Sequence, residues 1–406
     1  MNEFTRQDRI DAVVSCREPD RVPFCINVNN YYSIEYGLSM YNVMKDARFF
    51  GPVLKRFAVD LNPDLIGMPI TYPLDAFRIS GYRNVKYPGP DQNHPVDTPF
   101  QFLDSSYMEE EDYEVYLKDP TAFLFRNVFA RQYQAFEALG NLTVNGLCNA
   151  SIYGMAAFGN PAVKEALQKM IRTGEIVAEY LGQMKEIADS LEEMGYPVFG
   201  TSGTLNSFDA FADNVRGIMD TNVDLLDMPD EVNEAMTRWE ENALPGDLFA
   251  AKSSGCRYAF MPLHCGGEAF MSLDNFKAYY WPHVKRYVLE FINHGLTPML
   301  FCEGSFTSRL DILADVPEGK VIYLFEDVDL AKAKKVLCGK ACIMGGLQTQ
   351  TLMFGTEEEV VEETKRALDI CAPGGGFIMS NSIALDQAKR ENIEIWRQTV
   401  EQFGAY

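Results

Sequence analysis

Residues 258–304 read YAFMPLHCGGEAFMSLDNFKAYYWPHVKRYVLEFINHGLTPMLFCEG, and their pattern decides the fold class. A short apolar run, Tyr258–Leu263, is followed by a helical pattern at Leu273–His294 and a second apolar run at Thr297–Phe301. Two short buried runs separated by a helix form a βαβ unit with parallel strands. The same rhythm extends in both directions. Upstream lie strand-like Val22–Val28, Leu65–Pro69, Leu142–Leu147 and Val198–Gly200, with helical patterns at Thr5–Ser15, Tyr41–Val59, Ala162–Met194, Phe208–Met219 and Pro229–Ala243. Downstream, Val321–Phe325, Ala341–Gly345 and Gly376–Met379 alternate with Phe306–Ala314, Leu330–Leu337, Glu357–Ile370 and Arg390–Phe403. About nine such units fit a (β/α)₈ TIM barrel better than an open doubly wound sheet. Residues 1–406 are read as one domain with an N-terminal elaboration. The Tyr-, Pro- and Gly-rich stretch at about 72–116 is read as an insertion or lid.

Composition narrows the function. The 406 residues are 47% hydrophobic and 23% charged, as in globular proteins. No apolar run is long enough to span a membrane and no leader is visible, so the expected location is the cytoplasm. With 36 Lys+Arg against 58 Asp+Glu the formal net charge is −22, which repels nucleic acid. Nine cysteines without a Cys-x-x-Cys pair read as reduced thiols. A Gly-x-Gly-x-x-Gly fingerprint and a phosphate loop are both missing, which argues against a nucleotide-binding Rossmann protein.

In a barrel the chemistry belongs at the C-terminal ends of the strands. Those ends carry Asn27 and Asn29, Cys148, His264-Cys265, Cys302-Glu303, and Glu326. His, Cys and Glu are ligand types for zinc, and a catalytic zinc keeps three of them and an open position. The expected metal set is His264, Cys302 and Glu303. Successive residues of a strand point to opposite faces, so His264 and Glu303 are the preferred inward pair and Cys302 the weaker third. Those two are the expected catalytic residues. Asn27, Asn29, Tyr31, Cys148 and Glu326 are expected to bind substrate. The structural alternative is a hydrogen-bonded His264 under a loop with Cys302 as core filler. His283 and His294 fall on a helix outside the barrel, and His94 in the insertion. Asp327 or Asp329 is expected to cap the following helix.

These motifs resemble the uroporphyrinogen decarboxylase-like superfamily, in its branch of corrinoid-dependent methyltransferases. The resemblance rests on PLHCGGEAFMS from Pro262, GKVIYLFEDVDLAK at Gly319–Lys332, the tail from Met353 to Ile393 with Gly374-Gly375-Gly376, and EPDRVPF at Glu18–Phe24. True decarboxylases of the superfamily hold their carboxylated tetrapyrrole with arginines after the first strand. Here that place reads Cys25-Ile26-Asn27-Val28-Asn29-Asn30-Tyr31-Tyr32, without the guanidinium forks that pair with carboxylates. The methyltransferase branch uses a zinc held by a His-x-Cys pair and a later Cys. This sequence departs from that too, with Leu300 at the histidine position and Ser380-Asn381-Ser382 at the final strand end.

The resemblance therefore implies the substrate:corrinoid methyltransferase of an anaerobic O-demethylase. The expected reaction moves a methyl group from a methoxylated, aromatic or other, small substrate to cob(I)alamin. The cobalamin would arrive on a separate corrinoid-binding protein, because this chain has no Asp-x-His-x-x-Gly signature. Zinc is the candidate metal and a homodimer the candidate assembly. The alternatives are a uroporphyrinogen decarboxylase-like lyase acting on another carboxylated substrate, or a non-catalytic tetrapyrrole-binding barrel.

Overall fold

A computed structural model describes residues 4–142 and 152–406. Ten strands are found among them. In chain order they are β1 (Cys25–Ile26), β2 (Leu65–Gly67), β3 (Val85–Lys86), β4 (Gln101–Phe102), β5 (Val198–Phe199), β6 (Tyr258–Pro262), β7 (Thr297–Ser305), β8 (Ile322–Asp327), β9 (Cys342–Leu347) and β10 (Phe377–Asn381). β1, β2 and β5 pair in parallel, as do β6 through β10 in unbroken sequence order. Two single parallel bridges join these sheets, Gly203 with Phe260 and Phe24 with Met379. They are made by Thr204 N–H donating to Phe260 O at 3.0 Å and by Met379 N–H donating to Pro23 O at 2.9 Å. The ring thereby closes on itself, and the eight parallel strands form a (β/α)₈ barrel.

The alternation of side chains sorts the strands into two layers. Cys25, Leu65, Phe199, Tyr258, Phe260, Met299, Ile322, Leu324, Cys342, Met344 and Ile378 fill the interior. Their neighbours Ile26, Ile66, Val198, Met261, Leu300, Cys302, Tyr323, Ile343 and Phe377 pack outward under the helices. The helix Arg6–Val14 seals the lower end with Ile10, Val13 and Val14. A Thr5–Asp8 capping box starts that helix. Asp64, fully buried, ties the strand entry together. It accepts from Arg21 at 2.7 and 2.9 Å, from Arg9 at 3.2 Å and from the Phe24 N–H at 2.8 Å.

Several expectations shift in detail. The helix expected over Tyr41–Val59 breaks into Met40–Lys45 and Phe50–Leu61, because Asp46 is extended and its carboxylate caps the intervening turn at Arg48. The nine expected strands reduce to eight barrel strands, and the one placed at Leu142–Leu147 falls almost wholly outside the described residues. Within residues 72–116 lie the helix Leu74–Ser80, the antiparallel β3–β4 hairpin and the start of a helix at Tyr113. No helix among the described residues is long and apolar enough to cross a membrane.

Candidate active site

The inward register that fills the barrel continues past the apolar layer and decides what reaches the mouth. On β6, Tyr258 and Phe260 point inward, so His264 follows them while Leu263 and Cys265 pack outward. On β7, Met299 and Phe301 point inward and Glu303 follows, with Leu300 and Cys302 outward. Glu326 continues the inward set of β8, and Asn27 that of β1. Gly67 at the end of β2 must lack a side chain, since a Cβ there would lie 2.8 Å from the Phe199 ring and 3.0 Å from Asn27 Oδ1. Beneath the polar rim, Phe199, Phe260 and Phe301 form an aromatic arc with centroid spacings of 5.9 and 6.2 Å.

Two carboxylates that the sequence reading did not select complete the cluster. After β5, Asn206 caps the segment Ser207–Phe211 by accepting from the N–H groups of Phe208 and Asp209. A π-helical turn, Ala212–Arg216, follows directly. Such turns often occur at functional positions. This segment presents Asp213, whose Oδ1 lies 2.9 Å from His264 Nε2, and the fully buried Asp209, 3.9 Å from the same nitrogen. Asp209 is itself held by the Cys265 N–H at 2.9 Å, the Tyr280 hydroxyl at 2.6 Å and the Asn206 amide. The Glu326 carboxylate accepts from the Gly304 N–H at 2.7 Å, and Gly304 turns the chain away from Glu303 with φ of 76°.

The charges in this cluster are unbalanced. One imidazole faces Asp209, Asp213 and Glu303, with Glu326 behind. Burial alone would lower the His264 pKa, but the fields of Asp209, Asp213 and Glu303 and the Asp213 hydrogen bond outweigh it and hold the imidazolium to about 10. Burial raises the Glu303 carboxyl to about 7, against the pull of His264 and with a further push from Asp209, Glu326 and Asp213. Burial also raises Asp213, partly offset by His264. The Cys265 thiol is pushed well up, first by burial and then by Asp209.

An excess of buried negative charge is what a cation site requires. The His264, Cys302 and Glu303 set expected from the sequence does not come together. Cys302 is fully buried on the outer face of β7, the side opposite Glu303. Instead, ligand atoms of Asp209, His264 and Cys265 lie within 4.8 Å of one another, the one such group among the described residues. Their oxygen, nitrogen and sulfur donors suit a zinc-type ion.

The remaining candidates are dispersed. Asn27 is almost wholly buried at the rim, its N–H donating to Asn381 Oδ1 at 2.8 Å and its carbonyl accepting from the Asn381 amide at 2.8 Å. Asn29 is half-buried and bonded through its N–H to Leu385 O. Tyr31 is fully buried in the outer core, away from the barrel axis. Glu326 lines a cavity of about 270 Å³ with Asp329, Gln348, Glu363 and Arg366. Cys148 lies outside the described residues. Asp329 caps the helix Leu330–Leu337. His283 bonds Glu240, and His94 and His294 bond nearby backbone carbonyls, all outside the cluster.

An aromatic group belonging to the 72–116 stretch stands near this cluster. Tyr72 packs edge-on against Phe100 at 5.0 Å and Phe102 at 5.6 Å. Its hydroxyl is raised by burial and then by the field of Asp213, so this group sits within electrostatic range of the cluster.

Comparison with known proteins agrees with the architecture. The model of the uroporphyrinogen decarboxylase (URO-D) family matches residues 266–403. No curated protein matches the sequence. Among solved structures, a methyltransferase from Methanosarcina mazei superposes with a TM-score of 0.65 at 14% identity, covering 99% of each chain. A B12-independent methionine synthase from a Shewanella species, solved with selenomethionine, aligns over 53% of this chain and 64% of its own at 11% identity. Its TM-score of 0.37 is too low to bear on the argument. The superfamily resemblance read from the strand-end motifs is thus borne out at the level of the fold.

Proposed function

We propose that this uroporphyrinogen decarboxylase-like barrel is a methyltransferase. It takes a methyl group from a small methoxylated substrate and passes it to cob(I)alamin carried by a separate corrinoid protein. The observation that carries the reading is a buried Glu303 within the field of His264 at the mouth, over an aromatic floor. Displacing an ether oxygen from its methyl carbon is difficult because an alkoxide or phenoxide is a poor leaving group, and a positioned acid removes that difficulty.

Glu303 supplies such an acid. Its carboxyl is raised to about 7 and is therefore partly protonated at neutral pH. In this reading it gives its proton to the departing oxygen as cobalt takes the methyl carbon. His264, oriented by Asp213, contributes a positive charge beside the oxygen as negative charge develops there. The arc of Phe199, Phe260 and Phe301 below, with Tyr72 above, offers apolar surface to a planar ring. In place of the imidazolium, a divalent ion held by Asp209, a neutral His264 and Cys265 would supply the positive charge toward the same oxygen.

The M. mazei neighbour supports the reading by its fold, and that protein is itself a methyltransferase. The decarboxylase alternative lacks its basic clamp. Among the described residues, Arg309 is buried near the mouth but is spent on the carbonyls of Gly266 and Met271. Conversion of cob(I)alamin to methylcobalamin, followed by absorbance with methoxylated benzoates as donors, tests the proposal. Failure of every methoxylated donor, with turnover of a carboxylated substrate to carbon dioxide, would replace it by the lyase.

A further inference from the structure

The base of the barrel, opposite the mouth, holds a feature unrelated to methyl transfer. Cys16 follows the helix that seals the barrel floor and adopts φ of 54°, in the left-handed region. The two other residues besides glycine that do so among those described are Asn62 and Asn93. Asparagine tolerates this conformation through its short polar side chain, whereas a cysteine there is unusual and needs a local reason.

The surroundings of Cys16 are tightly packed. A Cβ on Gly376 would lie 3.7 Å from the Cys16 sulfur, and one on Gly319 would lie 3.2 Å from Ser15 Cα. The Gly319 N–H donates to Lys340 O at 2.7 Å, which holds the turn at residues 338–340 against this segment. The Gly339 N–H faces the Cys16 sulfur, and Cys338 is the residue immediately before it. The Cys16 thiol lies 3.9 Å from Val14 O, and the packing of Gly319 and Gly376 sets it beside the turn at residues 338–340.

Among the described cysteines, accessibility favours the same two residues. Cys338 is exposed and Cys16 half-buried, while Cys25, Cys265, Cys302, Cys342 and Cys371 are buried. Cys256 is half-buried as well, but its neighbours are Ala251 on the preceding helix, Ser254 and Ser202, with no other cysteine among them.

We propose that Cys16 and Cys338 are a dithiol modification site that closes to a disulfide with a small-molecule disulfide as oxidant. The exposed Cys338 thiolate attacks one sulfur of the oxidant, forming a mixed disulfide and releasing one thiolate. Cys16 then loses its proton to solvent and attacks the Cys338 sulfur, expelling the second thiolate. The two cysteines are oxidised by two electrons and the external disulfide is reduced to two thiols. Burial raises the Cys16 thiol, which makes the second step the slower one. The bond would join the floor helix to the turn before β9, closing a loop of most of the chain, and such closures constrain the unfolded state strongly.

The test treats the folded full-length protein with oxidised glutathione, blocks the remaining thiols, and maps unreduced peptides by mass spectrometry. The expected result is one linked peptide pair containing Cys16 and Cys338. The oxidised protein should melt several degrees above the reduced one, with that increase absent from Cys16→Ser and Cys338→Ser. A glutathione adduct that persists on wild-type Cys338 with no linked pair would overturn the proposal. So would a linked pair involving any other cysteine in place of Cys16. Methyl transfer should be unchanged by either serine variant, because the pair lies at the opposite end of the barrel from the mouth.

Discussion

Asp213 Oδ1 stands 2.9 Å from His264 Nε2, and this contact joins an element after β5 to the end of β6. It fixes the imidazole at the barrel mouth and leaves its charge surrounded by carboxylates. The consequences can be measured one at a time.

Glu303→Gln keeps the shape of the side chain and removes its proton. Loss of a positioned general acid costs on the order of 10²-fold or more in rate. Methyl transfer should fall by at least that factor while the melting temperature moves by only a few degrees. A destabilised variant with normal turnover would assign Glu303 a structural role instead.

Zinc binding by the purified protein discriminates between the two ligand sets. Equilibrium dialysis with metal analysis should find one ion per chain in the wild type and in Cys302→Ser. Binding should be lost in His264→Ala and Asp209→Asn and weakened in Cys265→Ser. Loss in Cys302→Ser would restore the set expected from the strand ends.

The stability of the ion-free protein should depend on His264. The folded pKa is raised from 6.5 to about 10, so the imidazolium's contribution is fully present below 6.5 and is lost as pH rises through 10. Urea midpoints taken from pH 6 to pH 10 should fall more steeply for the wild type than for His264→Gln. Parallel curves would mean that the carboxylates around His264 do not hold its proton.

Asp64 is a purely structural counterpart. Removing one partner of a buried ion pair leaves the others uncompensated and costs about 3–5 kcal/mol. Asp64→Ala strands Arg21, Arg9 and the Phe24 N–H together, and should lower the urea midpoint markedly while residual folded protein keeps its specific activity.

These residues also mark how far the sequence could be read. His264, Glu303 and Glu326 were legible because β6, β7 and β8 are long enough for period-two alternation to state which side chains face inward. The same alternation sets Cys302 against Glu303 inside β7, whereas His264 and Cys265 lie past the end of β6 at Pro262, where the strand's alternation no longer governs both side chains. Asp209 and Asp213 were not legible. They follow a two-residue strand, and acids just after a capping Asn206 read as ordinary helix-start residues. Their partners at positions 264 and 265 are more than fifty residues away, related only by the closed ring. Closure depends on two isolated bridges next to very short strands, a tertiary effect with no local pattern. The aromatic stretch near 72–116 declared itself by composition, but its approach to Asp213 through Tyr72 depends on packing alone.

The central claim is that the mouth transfers a methyl group and that Glu303 drives the departure of the oxygen. The most direct measurement is the rate of methylcobalamin formation from cob(I)alamin and a methoxylated benzoate, compared between wild type and Glu303→Gln across a series of donors. The account predicts wild-type turnover and a defect in Glu303→Gln that shrinks as the departing phenol becomes more acidic, because a better leaving group needs less help from a proton. An equal defect for every donor, or no defect at all, would contradict it.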